Sequence, residues 1–69
     1  MAMTPADITD VLNEVGHTEH VIFEPSSETR SRWVIRVFTG KGWKYLRMTA
    51  DEASLAEVER FAVKYEAAE

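Results

Sequence analysis

Residues Ser31 to Met48 read SRWVIRVFTGKGWKYLRM, and this stretch decides the fold. Two runs rich in β-branched and aromatic residues flank the dipeptide Gly40-Lys41, a composition typical of two strands joined by a tight turn. Glycine at the first turn position would supply the positive φ that hairpin turns need. Counting outward from this turn predicts the cross-strand pairs Thr39–Gly42, Phe38–Trp43, Val37–Lys44, Arg36–Tyr45, Ile35–Leu46, Val34–Arg47 and Trp33–Met48.

The predicted register sorts the hairpin side chains onto two faces, because side chains alternate along a strand. One face is apolar and is expected to lie against the core: Trp33, Ile35, Val37, Leu46 and Met48, with Lys44 near the turn. The other face mixes basic and aromatic side chains: Arg32, Val34, Arg36, Phe38, Trp43, Tyr45 and Arg47. A slip of one residue in the turn would exchange the two faces.

The basic-aromatic face has two interpretations. A facing aromatic pair such as Phe38 and Trp43 stabilises a hairpin by roughly 0.2–1 kcal/mol without any functional purpose. Alternatively, the face binds something, since arginine beside exposed aromatic rings both grips phosphate while stacking bases and forms protein interface hot spots. The candidate binding residues are Arg32, Arg36, Phe38, Trp43, Tyr45 and Arg47.

Charge is segregated along the chain. Residues 1–29 contain six acids and no base, residues 30–47 contain six bases and no acid, and residues 48–69 contain six acids with Arg60 and Lys64. The pattern predicts a positive sheet and mostly negative helices. The net charge of −4 argues mildly against non-specific nucleic-acid binding.

A first helix is predicted from Pro5 to Val15. Thr4 is the expected N-cap, Asp7 stands where a capping-box acid reaches back, and Gly16 suits the left-handed residue that ends a helix. A second helix is predicted to begin after Met48, with Thr49 as its N-cap and Glu52 completing a capping box. Its buried stripe is expected to be Leu55, Val58, Phe61, Ala62 and Tyr65.

A first strand is predicted from Val21 to Glu24. Val21 and Phe23 are expected to point to the core, with His20, Ile22 and Glu24 on the opposite side. The polar stretch Pro25–Thr29 then forms a loop, predicted to be the most flexible segment, and Glu24 could pair with Arg32.

The predicted order is helix–strand–strand–strand–helix within one small α+β domain, residues 1–69. Short connections favour a three-stranded antiparallel meander, and two amphipathic helices need the same apolar sheet face. The expected fold therefore has two layers, with both helices on one face of the sheet. The basic-aromatic face is left open.

Composition restricts the class of protein. The chain has 69 residues and no cysteine, so packing must stabilise it without disulfides or a thiolate zinc site. It contains no apolar run near the ~18 residues of a membrane span and no basic-then-apolar start typical of a secretory signal. The expectation is a cytoplasmic protein without membrane contact.

The sequence contains no recognisable catalytic or metal-binding set. His17 and His20, with Glu19 between them, provide too few ligands for zinc. The Ser26-Ser27 pair lies in a polar turn without the base, acid and oxyanion pocket of a nucleophilic site. Gly40-Lys41-Gly42 joins two strands, whereas a phosphate-binding P-loop joins a strand to a helix. We expect no enzyme activity, no cofactor and no bound metal.

The order of elements resembles that of double-stranded-RNA-binding domains. Those domains carry a lysine cluster at the start of their second helix, where this chain reads Thr49-Ala50-Asp51-Glu52, whose carboxylates would repel phosphate. The face with Arg32, Arg36 and Arg47 is similar instead to that of integrase arm-binding domains, which implies a sheet laid in the DNA major groove. In size and acidity the chain also resembles phage-encoded inhibitors, including anti-CRISPR proteins, which implies occlusion of a protein surface.

The favoured hypothesis is a non-catalytic binding module that uses the basic-aromatic face. A protein partner is preferred, in the manner of a small inhibitor, because the net charge is negative and Val34 adds apolar area. A nucleic-acid-binding domain using the same face is the alternative. A homodimer through this face ranks third, because it would bring arginines together.

Overall fold

The structure is a computed structural model that describes residues 3–65, so residues 1–2 and 66–69 of the predicted domain lie outside it. The order of elements is α1 (Pro5–Val15), β1 (His20–Phe23), β2 (Arg32–Thr39), β3 (Gly42–Thr49) and α2 (Leu55–Lys64). The strands form one antiparallel sheet in the order β1-β2-β3. The predicted α+β fold with a three-stranded meander is confirmed.

The central hairpin has the predicted register. The pairs between β2 and β3 run from Arg32 opposite Thr49 to Thr39 opposite Gly42, and they include all seven predicted pairs. The turn differs in its backbone, because the positive φ of 98° belongs to Gly42 and not to Gly40. A left-handed residue after the turn is typical of bulged hairpin loops.

The Thr39 side chain closes this turn. Its hydroxyl donates to the carbonyl oxygen of Gly42 at 2.7 Å and accepts from the backbone N–H of Lys41 at 3.1 Å. Thr39 is buried although it is polar, because both of these hydrogen bonds are made locally.

The predicted orientation of β1 is wrong. Ile22 pairs with Ile35 and packs against the core, whereas Phe23 pairs with Val34 on the other side of the sheet. Val21 pairs with Arg36, so it also lies away from the helices. The run of three apolar residues, 21–23, has no alternation of its own, so its pairing with β2 selects which side chains are buried.

Both helices cover the same face of the sheet. The core combines residues from every layer: Ile8 and Leu12 of α1, Trp33, Ile35 and Val37 of β2, Met48 of β3, and Val58, Phe61 and Ala62 of α2. The first helix forms as predicted, with a capping box between Thr4 and Asp7 and a left-handed Gly16 at φ 99°. Among residues 3–65, no helix is both long enough and apolar enough to cross a membrane.

The second helix begins five residues later than predicted. Its N-cap is Ser54, whose hydroxyl accepts from the Glu57 N–H at 3.2 Å, while Thr49 ends β3. Thr49 instead accepts the Glu52 N–H at 3.3 Å within the intervening turn. Leu55 becomes the first helical residue and is exposed, which corrects the predicted stripe; Val58, Phe61 and Ala62 are buried and Tyr65 packs at the margin.

The late start also changes the charge of α2. The helix contains Glu57, Glu59, Arg60 and Lys64, so its acids and bases balance, contrary to the predicted negative helix. Asp51 and Glu52 lie in the connection that precedes it, and Glu66 and Glu69 lie outside the described residues. Strands β2 and β3 carry four basic residues and no acid, as expected for a positive sheet.

His17 joins the two helices. The sequence predicted an ordinary linker residue, but the ring is buried and its Nε2 lies 2.8 Å from the carbonyl oxygen of Ala62 and 2.7 Å from that of Tyr65. Both partners are acceptors, so Nε2 carries the proton and donates. The end of α1 is thereby tied to the end of α2.

Candidate functional site

The sheet face opposite the helices is the candidate site, and we call it the open face. Strand pairing places nine side chains on it: Val21, Phe23, Arg32, Val34, Arg36, Phe38, Trp43, Tyr45 and Arg47. The six residues predicted for binding are among them, so the structure brings all six together. Their role in binding stays a prediction.

The open face is aromatic near the β2–β3 turn. The Phe38 and Trp43 rings pack edge to face, with centroids 5.2 Å apart and planes at 60°. This is a preferred arrangement for aromatic pairs and fixes both rings. Trp43 is nevertheless 39% exposed and Tyr45 is 47% exposed, so large apolar surfaces remain available to a partner.

Arg36 occupies the centre of the open face. Its guanidinium carbon lies 4.7 Å from the centroid of the Trp43 ring and 5.9 Å from that of Phe23. Its Nε atom is buried without a hydrogen-bond partner. Cation–π attraction is worth ~0.5–1 kcal/mol at exposed sites and ~2 kcal/mol when the cation is desolvated, so the rings hold this arginine in place.

The far end of the open face is basic. The Arg47 guanidinium lies 5.3 Å from the centroid of the Tyr45 ring, and Arg32 is exposed at the start of β2. Across residues 3–65 the ion pair within 4 Å is Glu57–Arg60 at 3.2 Å, on α2. The predicted pair between Glu24 and Arg32 is therefore not formed. Within the described residues, the arginines at this end form no ion pair.

Besides Val21, which pairs with Arg36, two contributors to the site were missed by the sequence analysis. Phe23 was assigned to the core, yet it is 43% exposed beside Arg36 on the open face. Arg30 was not singled out, although it lines a pocket with Arg32 and Arg47 at the basic end. Neither residue has a local signal, because β1 has no alternation and Arg30 is placed by the backbone of the loop that precedes β2.

The histidines and serines are engaged in structural contacts. The His20 Nδ1 donates to the His17 carbonyl oxygen at 2.8 Å, and Ser26 exchanges hydrogen bonds with Thr29. In the part of the chain that the structure describes, no three side chains of histidine, cysteine, aspartate or glutamate are grouped to hold a metal. The arrangement is suited to binding through shape and charge.

Comparison with known proteins adds no family to this picture. No protein-family model, curated protein or solved structure matches the chain. The function is therefore inferred from the site.

Proposed function

We propose that this protein is a non-catalytic binding module that holds a protein partner against its open face. One observation carries the proposal: Phe23, Trp43 and Tyr45 expose large aromatic surfaces on a sheet face that neither helix covers. Tryptophan, tyrosine and arginine dominate the hot spots of protein interfaces, where a few residues supply most of the binding energy. Arg36, fixed among these rings, adds a positive charge at the centre.

The ring contacts favour a protein partner over nucleic acid. Base stacking needs free aromatic faces, yet the guanidinium of Arg36 lies over Trp43 and that of Arg47 lies over Tyr45. The net charge of −4 further opposes a polyanion. A protein surface with apolar groups and a carboxylate would complement both the rings and the arginines.

An inhibitor that occludes a surface is the form of this function that we favour. Occlusion needs a rigid, shaped surface and no catalytic residues, and the edge-to-face pair of Phe38 and Trp43 supports such rigidity. A phage-encoded inhibitor of the anti-CRISPR kind is one example of this class. The lack of cysteine supports action in the cytoplasm.

A nucleic-acid-binding domain is the second candidate. It is favoured by the arginines at the basic end of the open face, which have no carboxylate partner among residues 3–65. Salt dependence separates the two candidates, because each neutralised phosphate contributes about −0.9 to the log–log slope of affinity against salt for duplex DNA. A contact centred on aromatic rings should respond weakly to salt.

The first test is an amide-resolved NMR titration with a mixed pool of DNA and RNA oligonucleotides at low salt. The proposal predicts no saturable shifts at Phe38, Trp43 and Tyr45, the aromatic part of the open face. Shifts concentrated between Arg32 and Arg47 and reversed by salt would replace it with the nucleic-acid candidate.

The second test is a pull-down that compares the proteins bound by the wild type with those bound by two variants. Trp43→Ala removes an exposed ring from the open face, and Val63→Ala removes a 65% exposed side chain from α2 as a matched control. Loss of a hot-spot residue costs ~2 kcal/mol or more of binding free energy. Trp43→Ala should therefore lower the affinity for the partner about 30-fold, whereas Val63→Ala should leave the affinity unchanged. Equal retention by both variants would contradict the proposal.

A further inference from the structure

A pocket of about 580 Å³ opens at the basic end of the open face. The side chains of Arg30, Arg32 and Arg47 line it, together with the single carboxylate of Glu28. Its formal charge is therefore +2. We call it the arginine pocket.

Apolar side chains also line the arginine pocket. Phe23 and Val34, which are cross-strand neighbours on β1 and β2, contribute apolar surface, and Thr29 contributes a hydroxyl group. A volume of this size exceeds what a lone carboxylate or phosphate fills and falls in the range of small-molecule sites, roughly 300–1,000 Å³. The pocket therefore suits a ligand that joins an anionic group to an apolar body.

An unusual backbone places the arginines. Arg30 and Ser31 have φ values of 57° and 61°, so two consecutive non-glycine residues are left-handed. Such conformations are rare and are found where the surrounding structure enforces them, often at binding sites. Here the Ser31 N–H donates to the Ser26 carbonyl oxygen at 2.8 Å and the Arg32 N–H donates to that of Thr29 at 3.3 Å.

The same loop is closed by its own side chains. The Ser26 N–H donates to the Thr29 hydroxyl at 2.8 Å, and this hydroxyl donates to backbone carbonyl oxygens of Ser26 and Glu24. The loop that the sequence predicted to be most flexible is thus held by hydrogen bonds at Ser26 and Thr29, and Arg30 follows directly after Thr29.

The charge of the arginine pocket distinguishes between two kinds of anion, carboxylate and phosphate. Guanidinium groups bind phosphate and carboxylate through paired hydrogen bonds. A carboxylate would neutralise half of the +2 charge, whereas a phosphate monoester carries about −1.5 to −2 at neutral pH. The charge of a phosphate monoester therefore matches the charge of the pocket more closely than the charge of a carboxylate does.

We infer that the arginine pocket binds a phosphate monoester attached to an apolar body, as a phosphorylated side chain of the protein partner would present it. This inference rests on the proposed function. The inference specifies the chemistry of one group on the protein partner and the residues of this chain that bind that group.

The test is an NMR titration at constant ionic strength with phenyl phosphate, inorganic phosphate, benzoate and adenosine monophosphate. Phenyl phosphate should give saturable shifts confined to the amides of Thr29–Arg32, Val34 and Arg47. It should bind about ten-fold more tightly than inorganic phosphate or benzoate, because only it supplies both the dianion and the apolar body.

Matched variants locate the site. Arg32→Gln and Arg47→Gln should each weaken phenyl phosphate about ten-fold, whereas Arg60→Gln, which removes an exposed arginine from α2, should leave its affinity unchanged. Glu28→Gln should strengthen binding several-fold, because it removes the opposing carboxylate. Far-UV circular dichroism of each variant verifies that it is folded.

Several results would overturn the inference. Shifts scattered along the chain, equal binding of benzoate, or an equal loss in Arg60→Gln would exclude a specific phosphate pocket. If inorganic phosphate bound as tightly as phenyl phosphate, the pocket would not recognise an apolar body. If adenosine monophosphate bound more tightly, the ligand of the pocket would be a nucleotide. Phenyl phosphate binding is measured without a protein partner, so a failure of the pocket is distinguishable from a failure of the proposed protein-binding face, which the Trp43→Ala test measures.

Discussion

His17 offers the sharpest test of how this small domain holds together. It is 1% exposed, and its Nε2–H is shared between the carbonyl oxygens of Ala62 and Tyr65 at 2.8 and 2.7 Å. His17→Ala removes the donor, which leaves carbonyl groups unsatisfied at a cost of ~1–3 kcal/mol. It also removes a buried ring from the junction of α1 and α2, which costs ~2 kcal/mol more.

The expected loss is therefore about 3–5 kcal/mol in the free energy of unfolding. A domain of this size has on the order of 5 kcal/mol in total, so His17→Ala should lie near the limit of folding. His17→Gln keeps an N–H near the position of Nε2 and should lose only ~1 kcal/mol. His17→Phe keeps the ring volume but not the donor and should fall between the two.

Urea denaturation followed by far-UV circular dichroism measures these differences. With an m-value of ~1 kcal/mol/M, the midpoint should fall by about 3–5 M for His17→Ala and about 1 M for His17→Gln. His20→Ala is the matched control, since His20 is only partly buried and makes one hydrogen bond, to the His17 carbonyl oxygen. A His17→Gln variant no more stable than His17→Phe would refute the hydrogen-bonded link between the helices.

Five further substitutions test the local structure by the same urea assay. Ile22→Ala should cost ~1–3 kcal/mol and Phe23→Ala less than ~1 kcal/mol, because only Ile22 packs against the core. Gly42→Ala should cost ~1–2 kcal/mol because its φ is 98°, whereas Gly40→Ala, with open space for a Cβ and no positive φ, should be nearly neutral. Ser54→Ala should cost about 1 kcal/mol by removing the N-cap of α2.

Each of these comparisons has a contrary outcome. A larger loss for Phe23→Ala than for Ile22→Ala would restore the orientation of β1 that the sequence predicted. Equal losses of stability for Gly40→Ala and Gly42→Ala would contradict the argument that the positive φ of Gly42 makes its substitution costly. A neutral Ser54→Ala would argue that α2 begins before Leu55.

The hairpin and its site could be predicted because their signals are local. The Gly40-Lys41 turn fixes the count of residues on both strands, and Arg32, Arg36 and Arg47 fall on one face in that count, so the pairs around Arg36 and Tyr45 followed from the sequence. The first helix could be predicted equally well, since the capping box at its start and Gly16 at its end are local sequence signals. The start of α2 was not, because Thr49 and Ser54 both precede a suitable acid three residues on, and β3 extends through Thr49.

The sequence by itself determined the order of elements, the register of the hairpin and the basic-aromatic character of one sheet face. Only the tertiary structure decided that Phe23 joins this face, that His17 links the helices, and that Arg30 reaches the arginine pocket. The physical reason is the distance along the chain over which each feature is set. Alternation and capping act within a few residues, whereas the pairing of β1, the contact of His17 with α2 and the convergence of arginines from a loop and two strands exist only once the chain has folded.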